Sequence, residues 1–203
     1  AFRRNEMIKQ YLIEFLGTFF LVLVIALTGN PLAIGVTLTA LVYMGGYLSG
    51  AHYNPAVTLA MLINKKITSK AAAFYIITQF FAGFLAATVF FFIHGSKFIP
   101  QPGRNASTTS IFLIEVLFTF LLAFVVLHVA TTKKTQGNHY FGLAIGFTVM
   151  AAVFAGGPIS GGVFNPAVGF GPIFFDFSNL SSHLNILILY LLGPFLGGAF
   201  AGL

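Results

Sequence analysis

The fold is decided by one polar stretch, Ser49-Gly50-Ala51-His52-Tyr53-Asn54-Pro55-Ala56-Val57, which returns later as Ser160-Gly161-Gly162-Val163-Phe164-Asn165-Pro166-Ala167-Val168. The Asn residues of the two copies lie 111 positions apart (165 minus 54). Pro suits the first position of a helix, and Asn is a favoured N-cap. Each copy therefore predicts a loop that starts a short helix. The N-terminus of such a helix carries about +0.5 of a charge and free N–H donors.

The composition is that of a membrane protein. Of the 203 residues, 58% are hydrophobic and only 7% are charged, and the mean hydropathy is +0.94. A soluble domain has about 25% charged residues, so this chain has too few to cover a surface that faces water. Without cysteine there is no disulfide or thiol chemistry.

Six apolar stretches approach the length of about 20 residues that a membrane-spanning helix needs. They are residues 8–28, 32–48, 71–93, 111–130, 141–155 and 184–203. The stretch after each Asn-Pro pair is too short to cross, and we expect Pro172 to end the second one. Gly29-Asn30-Pro31 predicts a tight turn, and it lacks the Ser-Gly lead-in of the two copies. We expect the first span to be retained and the natural chain to continue past Leu203.

An internal repeat relates residues 1–94 to residues 110–203 within a single domain, with a polar linker at 95–109. Glu14 on the first span is echoed by Glu115 on the fourth, and Tyr75 is echoed by Tyr190. Three crossings per half is an odd number, so the halves must be inverted in the membrane. The predicted fold is an all-α membrane protein with six transmembrane helices and two re-entrant half-helices. The linker also holds Asn105-Ala106-Ser107, a short glycosylation pattern that is common by chance.

The basic residues predict the orientation, because Lys and Arg favour the cytoplasmic side. Lys97 and Arg104 fall on one face of this topology. The other eight fall on the opposite face, which we expect to be cytoplasmic, as is the N-terminus: Arg3, Arg4, Lys9, Lys65, Lys66, Lys70, Lys133 and Lys134. This distribution explains the net charge of +6 better than nucleic-acid binding does.

The pattern resembles the aquaporin, or major intrinsic protein, family over essentially the whole chain. The resemblance rests on two Asn-Pro-Ala boxes in mirrored halves, each half opening with a Glu on its first span. It implies two half-helices that meet at the centre of a narrow pore, usually in a homotetramer with one pore per subunit. The box residues are Asn54, Pro55, Ala56, Asn165, Pro166 and Ala167.

The chain departs from the family at the pore constriction, which usually contains an aromatic residue, a His and an Arg. Val168 stands where the resemblance places the Arg, and Gly169 stands where glycerol facilitators commonly have an Asp. Alignment without gaps puts the other filter positions at Ile34, Val153 and Gly162. Such a ring is apolar, and it lacks the fixed charge and five donors of Arg. We therefore expect a passive pore for water and small neutral solutes such as ammonia, urea, hydrogen peroxide or glycerol.

Two other functions remain open from the sequence. Ionisable groups inside spans are rare and usually functional, so Glu14 and Glu115 could carry a coupled proton in a transporter. The resemblance favours a second role, in which they hold the two box loops. A non-conducting structural membrane protein is the other alternative. The spans hold no paired nucleophile and base, no metal-ligand cluster and no phosphate-binding loop, so we predict no enzyme, no metal and no cofactor. The expected location is the plasma or inner membrane.

Overall fold

A computed structural model describes residues 2–203, with side chains from residue 5 onward. The side chains of Arg3 and Arg4, which the orientation prediction uses, lie outside that part. The α-helices of the described chain are α1 (Phe2–Thr28), α2 (Pro31–Ser49), α3 (Pro55–Ile63), α4 (Ser69–His94), α5 (Thr108–Thr131), α6 (Phe141–Ser160), α7 (Pro166–Phe175) and α8 (Leu180–Gly202). Short 3₁₀ helices form at Lys133–Thr135 and Phe177–Asn179.

Six of these helices are long and apolar enough to cross a membrane. They range from 19 residues in α2 to 27 in α1, or about 28 to 40 Å at about 1.5 Å per residue. The hydrocarbon layer is about 30 Å thick. Helices α3 and α7 have only 9 and 10 residues, so each can reach about halfway. The predicted architecture of six spans and two half-helices is confirmed.

Several helix ends differ from the predicted ones, and those of α6 and α7 do so because proline is tolerated inside these helices. Helix α6 continues past Pro158 to Ser160, where Gly161 caps it with φ of 93° and donates its N–H to Gly157 O. Helix α7 does not stop at Pro172 but continues to Phe175. A proline removes one helical hydrogen bond, and in α7 Pro172 is buried where the helix packs against α4 and α8. Helix α8 begins at Leu180, four residues earlier than predicted.

The connections also differ in detail from the prediction. The irregular linker covers residues 95–107, because Ser107 caps α5 and the helix begins at Thr108. The third Asn-Pro pair is not a simple turn, since Asn30 Oδ1 accepts from Leu32 N at 2.9 Å and starts α2. It shares the local chemistry of the boxes, but it is exposed at the surface.

Each half-helix packs against a long helix from the other half of the chain. Helix α3 packs against α8, and α7 packs against α4. The backbones touch where Gly83 faces the carbonyl of Ala167 and where Gly198 faces the carbonyl of Ala56, with no room for a Cβ at either glycine. Each half-helix N-terminus is therefore fixed by a long helix from the other half. We call the side of the molecule where α1 begins the N-terminal face, and the other side the opposite face.

Candidate functional site: a central cavity between two half-helices

The two Asn-Pro-Ala boxes bind each other at the centre of the molecule. Asn54 Nδ2 donates to Phe164 O at 2.9 Å, and Asn165 Nδ2 donates to Tyr53 O at 2.9 Å. Each Asn also caps its own half-helix, where Asn54 Oδ1 accepts from the N–H of Ala56 at 2.8 Å. A carboxamide has two N–H donors, so each Asn retains one that no described residue accepts.

Strained backbone precedes each Asn. Tyr53 has φ of 50° and Phe164 has φ of 47°, and left-handed conformations of residues other than glycine cost of order 1–3 kcal/mol. Both are held by carboxylates, since Tyr53 N donates to Glu14 at 2.8 Å and Phe164 N donates to Glu115 at 2.7 Å. This backbone turn directs the carbonyl of each residue to the Asn of the opposite box.

Glu14 is fully buried in a cage of four donors. Its Oε1 accepts from Ser49 Oγ at 2.6 Å and from His52 N at 2.9 Å. Its Oε2 accepts from Tyr53 N and from Gln79 Nε2, the latter at 2.9 Å. Each of the two oxygens accepts two hydrogen bonds, so the carboxyl group is held in one orientation.

Glu115 occupies the equivalent position in the second half with one donor fewer. Its Oε1 accepts from Ser160 Oγ at 2.6 Å and from Val163 N at 3.1 Å. Its Oε2 accepts from Phe164 N alone, because α8 has no counterpart of Gln79. The two carboxylates therefore have similar surroundings, but their hydrogen-bond sets are unequal.

Tyrosines complete both loop supports. Tyr75 donates its hydroxyl to Ser49 O at 2.8 Å, and Tyr190 donates to Ser160 O at 2.6 Å. Four residues after Tyr190, α8 carries Pro194 where α4 carries a glutamine. Sequence reasoning did not assign a role to either Ser, although the Ser at the start of both repeated stretches was the available signal.

A narrow central cavity of about 30 Å³ lies at the boxes, and its wall includes residues of α1, α2, α5 and α6 as well as both box loops. Asn54 and Asn165 line it together with all four predicted filter residues, Ile34, Val153, Gly162 and Val168. One water needs about 10–15 Å³ of such space, so the cavity takes small molecules and only a few of them at a time. Neither Glu14 nor Glu115 belongs to its wall, and no Asp, Glu, Lys or Arg of the described chain lines it.

The wall of the central cavity is otherwise almost wholly apolar. Sequence reasoning did not assign these residues: Leu21, Ile25, Leu38, Val57, Leu122, Val126, Ile145 and Val149.

The cavity opens towards the N-terminal face beside His52, whose Nδ1 lies 3.1 Å from Thr58 Oγ1. A wider vestibule of about 770 Å³ begins there and includes Lys66 and Lys133. The residues from 5 onward contain no group of three or more His, Cys, Asp or Glu that could hold a metal ion.

Membrane-spanning helices around a narrow, uncharged passage define a channel-type membrane protein. The sequence profile of the family described as Major intrinsic protein matches residues 1–203, so the chain belongs to this family. Its members are channels for the passive transport of water or small solutes, and not enzymes. The family and the fold class predicted from the repeated boxes are both confirmed.

Relatives of two kinds match 95% of this chain. A protein named Glycerol uptake facilitator protein-like 6, from Lactiplantibacillus plantarum, is 37% identical over 95% of this chain and 94% of its own length. Aquaporin NIP1-4 from Oryza sativa subsp. japonica is 34% identical over 95% of this chain and 74% of its own. The X-ray structure of the aquaglyceroporin from Plasmodium falciparum superposes with a TM-score of 0.83 at 22% identity, over 97% of this chain and 94% of that one. This last likeness shows the fold.

Proposed function

We propose that the protein is a passive channel for water and small neutral solutes such as ammonia, urea, hydrogen peroxide and glycerol. One observation carries the proposal: both box Asn residues and the four apolar filter residues line the same narrow cavity, whose described wall holds no Asp, Glu, Lys or Arg. A neutral solute can cross such a passage, whereas an ion would lose its hydration without gaining a partner.

The boxes are proposed to exclude protons and other cations. Helices α3 and α7 begin at Pro55 and Pro166, and helix N-termini carry partial positive charge. Two such N-termini meet at one point, where they oppose any cation at the centre of the passage. The free N–H of Asn54 and of Asn165 would donate to the oxygen of a passing solute.

The filter is proposed to admit solutes larger than water. Val168 lies within the cavity wall where an Arg would add a charge and five donors. Gly162 contributes no side chain, and Ile34 and Val153 offer only apolar surface. A relative with 37% identity is named as a glycerol uptake facilitator protein-like 6, which supports a filter that admits solutes larger than water.

The test is stopped-flow light scattering on proteoliposomes under gradients of water, glycerol and urea. We expect the wild-type protein to pass all three and Val168→Arg to lose most of the glycerol and urea flux while keeping water flux. Val168→Met is the matched control, because it narrows the ring without adding charge. A wild-type protein that passes water alone would contradict the broad filter.

The same assay separates the two other functions. A proton-coupled transporter would accumulate solute when a proton gradient is imposed, and Glu14→Gln or Glu115→Gln would abolish that uptake. The hydrogen bonds favour the role of loop support for both carboxylates, since each is fully buried among donors and away from the cavity wall. A protein that conducts no better than empty liposomes would favour the structural function.

We also propose a homotetramer with one pore per subunit, in the plasma or inner membrane with the N-terminus in the cytoplasm. The tetramer follows from family membership, and the orientation follows from the lysine distribution. Native mass spectrometry tests the tetramer, which should have four times the 21.8 kDa mass of the chain.

A further inference from the structure

Asp176 breaks a local rule of helix chemistry. It follows the last residue of α7, and its N–H donates to Pro172 O. A negative charge at a helix C-terminus opposes the helix dipole. Asp176 is nevertheless only 5% exposed, and it collects hydrogen bonds from Lys97 Nζ, Ser178 Oγ and Asn179 Nδ2.

Lys97 is the partner that comes from a distant part of the chain. Its Nζ lies 2.5 Å from Asp176 Oδ1, which joins the linker after α4 to the end of α7. The other charged or titratable partner is His183 at the start of α8, whose Nε2 lies 3.4 Å from Asp176 Oδ2. One carboxylate thus connects three segments on the opposite face.

The linker that Lys97 fixes extends to the filter. Gly103 N donates to Ile159 O at 3.0 Å, at the end of α6. The carbonyl of Gln101 lies so close to Gly161 that an added Cβ would be 2.8 Å from it. The next residue, Gly162, is one of the four filter residues of the cavity wall.

Few other polar contacts hold this linker. Apart from bonds within the linker and to the ends of α4 and α5, its described hydrogen bonds are those from Gly103 and from Lys97. Val168 has no side-chain donor that could bind a linker carbonyl from the filter side. The linker also packs Phe98, Ile99 and Ala106 against the apolar core, and the ion pair is the polar contact that fixes the start of the linker relative to the end of α7.

We propose that Lys97 and Asp176 are positioning residues for selectivity, a tether that holds linker residues 95–107 over the filter and so limits the size of the solute that passes. The pair fixes α7, which carries Val168, relative to the segment that covers Gly162. Release of the tether widens the approach to the filter without changing any residue of the cavity wall. The inference rests on the proposed channel function.

The test uses the full-length protein in lipid nanodiscs and in proteoliposomes. Lys97→Met and Asp176→Asn each remove the ion pair. The double variant removes both partners of the same pair, so its effect should be no larger than that of either single variant. Lys9→Met is the matched control, because Lys9 pairs with Glu6 at 2.9 Å on the exposed surface of α1. Hydrogen exchange reports the tether, and the ratio of glycerol to water permeability reports selectivity.

We expect the Gly103 amide to exchange at least about threefold faster in both single variants, and the permeability ratio to rise by about threefold. The double variant should match the single variants, and Lys9→Met should match the wild type. Unchanged exchange would overturn the tether, and faster exchange with an unchanged ratio would overturn its part in selectivity. If the wild type does not conduct, the proposed function fails, while hydrogen exchange still decides whether the tether exists.

Discussion

Glu14 and Glu115 perform the same task with unequal numbers of bonds. Each oxygen of Glu14 accepts two hydrogen bonds. Glu115 has one oxygen with two donors and one with a single donor. The difference arises because α4 provides Gln79 and the corresponding turn of α8 provides Pro194.

This inequality predicts the outcome of the two Glu→Gln substitutions. The new NH₂ group must face existing donors, and a buried hydrogen bond to a charged group is worth about 1.5–3 kcal/mol. In Glu14→Gln the NH₂ at the Oε2 position loses the bonds from Tyr53 N and Gln79 Nε2. At the Oε1 position it loses the bond from His52 N and makes the Ser49 hydroxyl turn from donor to acceptor. Glu115→Gln can instead place its NH₂ against the single donor of Phe164. We expect Glu14→Gln to lower the Tm in detergent more than Glu115→Gln does. A larger loss in Glu115→Gln would contradict the comparison.

Asp176 predicts an acid limit to stability. The hydrogen bond from Lys97, and then those from Asn179, hold the pKa of the Asp176 carboxyl below its usual range. A lowered pKa means that the carboxylate stabilises the fold above the pKa of the unfolded state, about 3.9, and that this stability is lost as pH falls through the folded pKa.

We therefore expect the Tm difference between wild type and Asp176→Asn to stay constant from about pH 7 to about pH 5 and to vanish in stronger acid. Thermal unfolding in detergent at each pH measures it. A difference that changes around the usual pKa of His, about 6.5, would assign the titration to His183 instead.

Close backbone contact between elements gives a prediction for α4 and α7. A Cβ at Gly83 would meet the carbonyl oxygen of Ala167, which can move only if α7 moves. We expect Gly83→Ala to destabilise the fold by about 1–3 kcal/mol and to lower flux, because α7 carries Val168. Thermal unfolding and proteoliposome swelling measure the two effects.

Gly157→Ala is the control for that substitution. Its Cβ would find only Val153 Cγ1 at 3.7 Å, an ordinary contact, and Ala is favoured over Gly in a helix by about 1 kcal/mol. Its stability should be equal to or above that of the wild type. If both variants lose stability equally, helix crowding at Gly83 is not the cause.

The elements were predictable from the sequence because spans, boxes and repeat are marked by composition and spacing. The helix ends were less predictable from the sequence, because Pro158 and Pro172 lie inside helices that tertiary packing maintains. The box and filter residues were named from the repeat and the resemblance and line one cavity, and their roles in conduction stay predictions. The apolar wall, such as Leu38 and Ile145, was not predicted, because lipid-facing and cavity-facing sides of a membrane helix are both apolar and no period separates them.

At the scale of the whole molecule, the charge distribution predicts the orientation in the membrane. Lys65, Lys66 and Lys70 follow α3, and Lys133 and Lys134 follow α5, all on the N-terminal face. Lys97 lies on the opposite face and is paired with Asp176. Of the Lys and Arg residues with described side chains, only Lys97 and Arg104 lie on the opposite face. The basic charge is therefore concentrated on the N-terminal face, which the positive-inside rule places in the cytoplasm.

The chain contains no cysteine, so single-cysteine variants can test that orientation without background labelling. Gln136→Cys lies on the N-terminal face and Asn105→Cys on the opposite face, and both positions are exposed. In intact cells, a membrane-impermeant maleimide should label Asn105→Cys at once and Gln136→Cys only after permeabilisation. The reverse pattern would place the lysines on the extracellular side. The tether between Lys97 and Asp176 would then lie at the cytoplasmic entrance of the pore. Labelling of both variants in intact cells would indicate that the population has mixed orientations and that the lysines do not decide the topology.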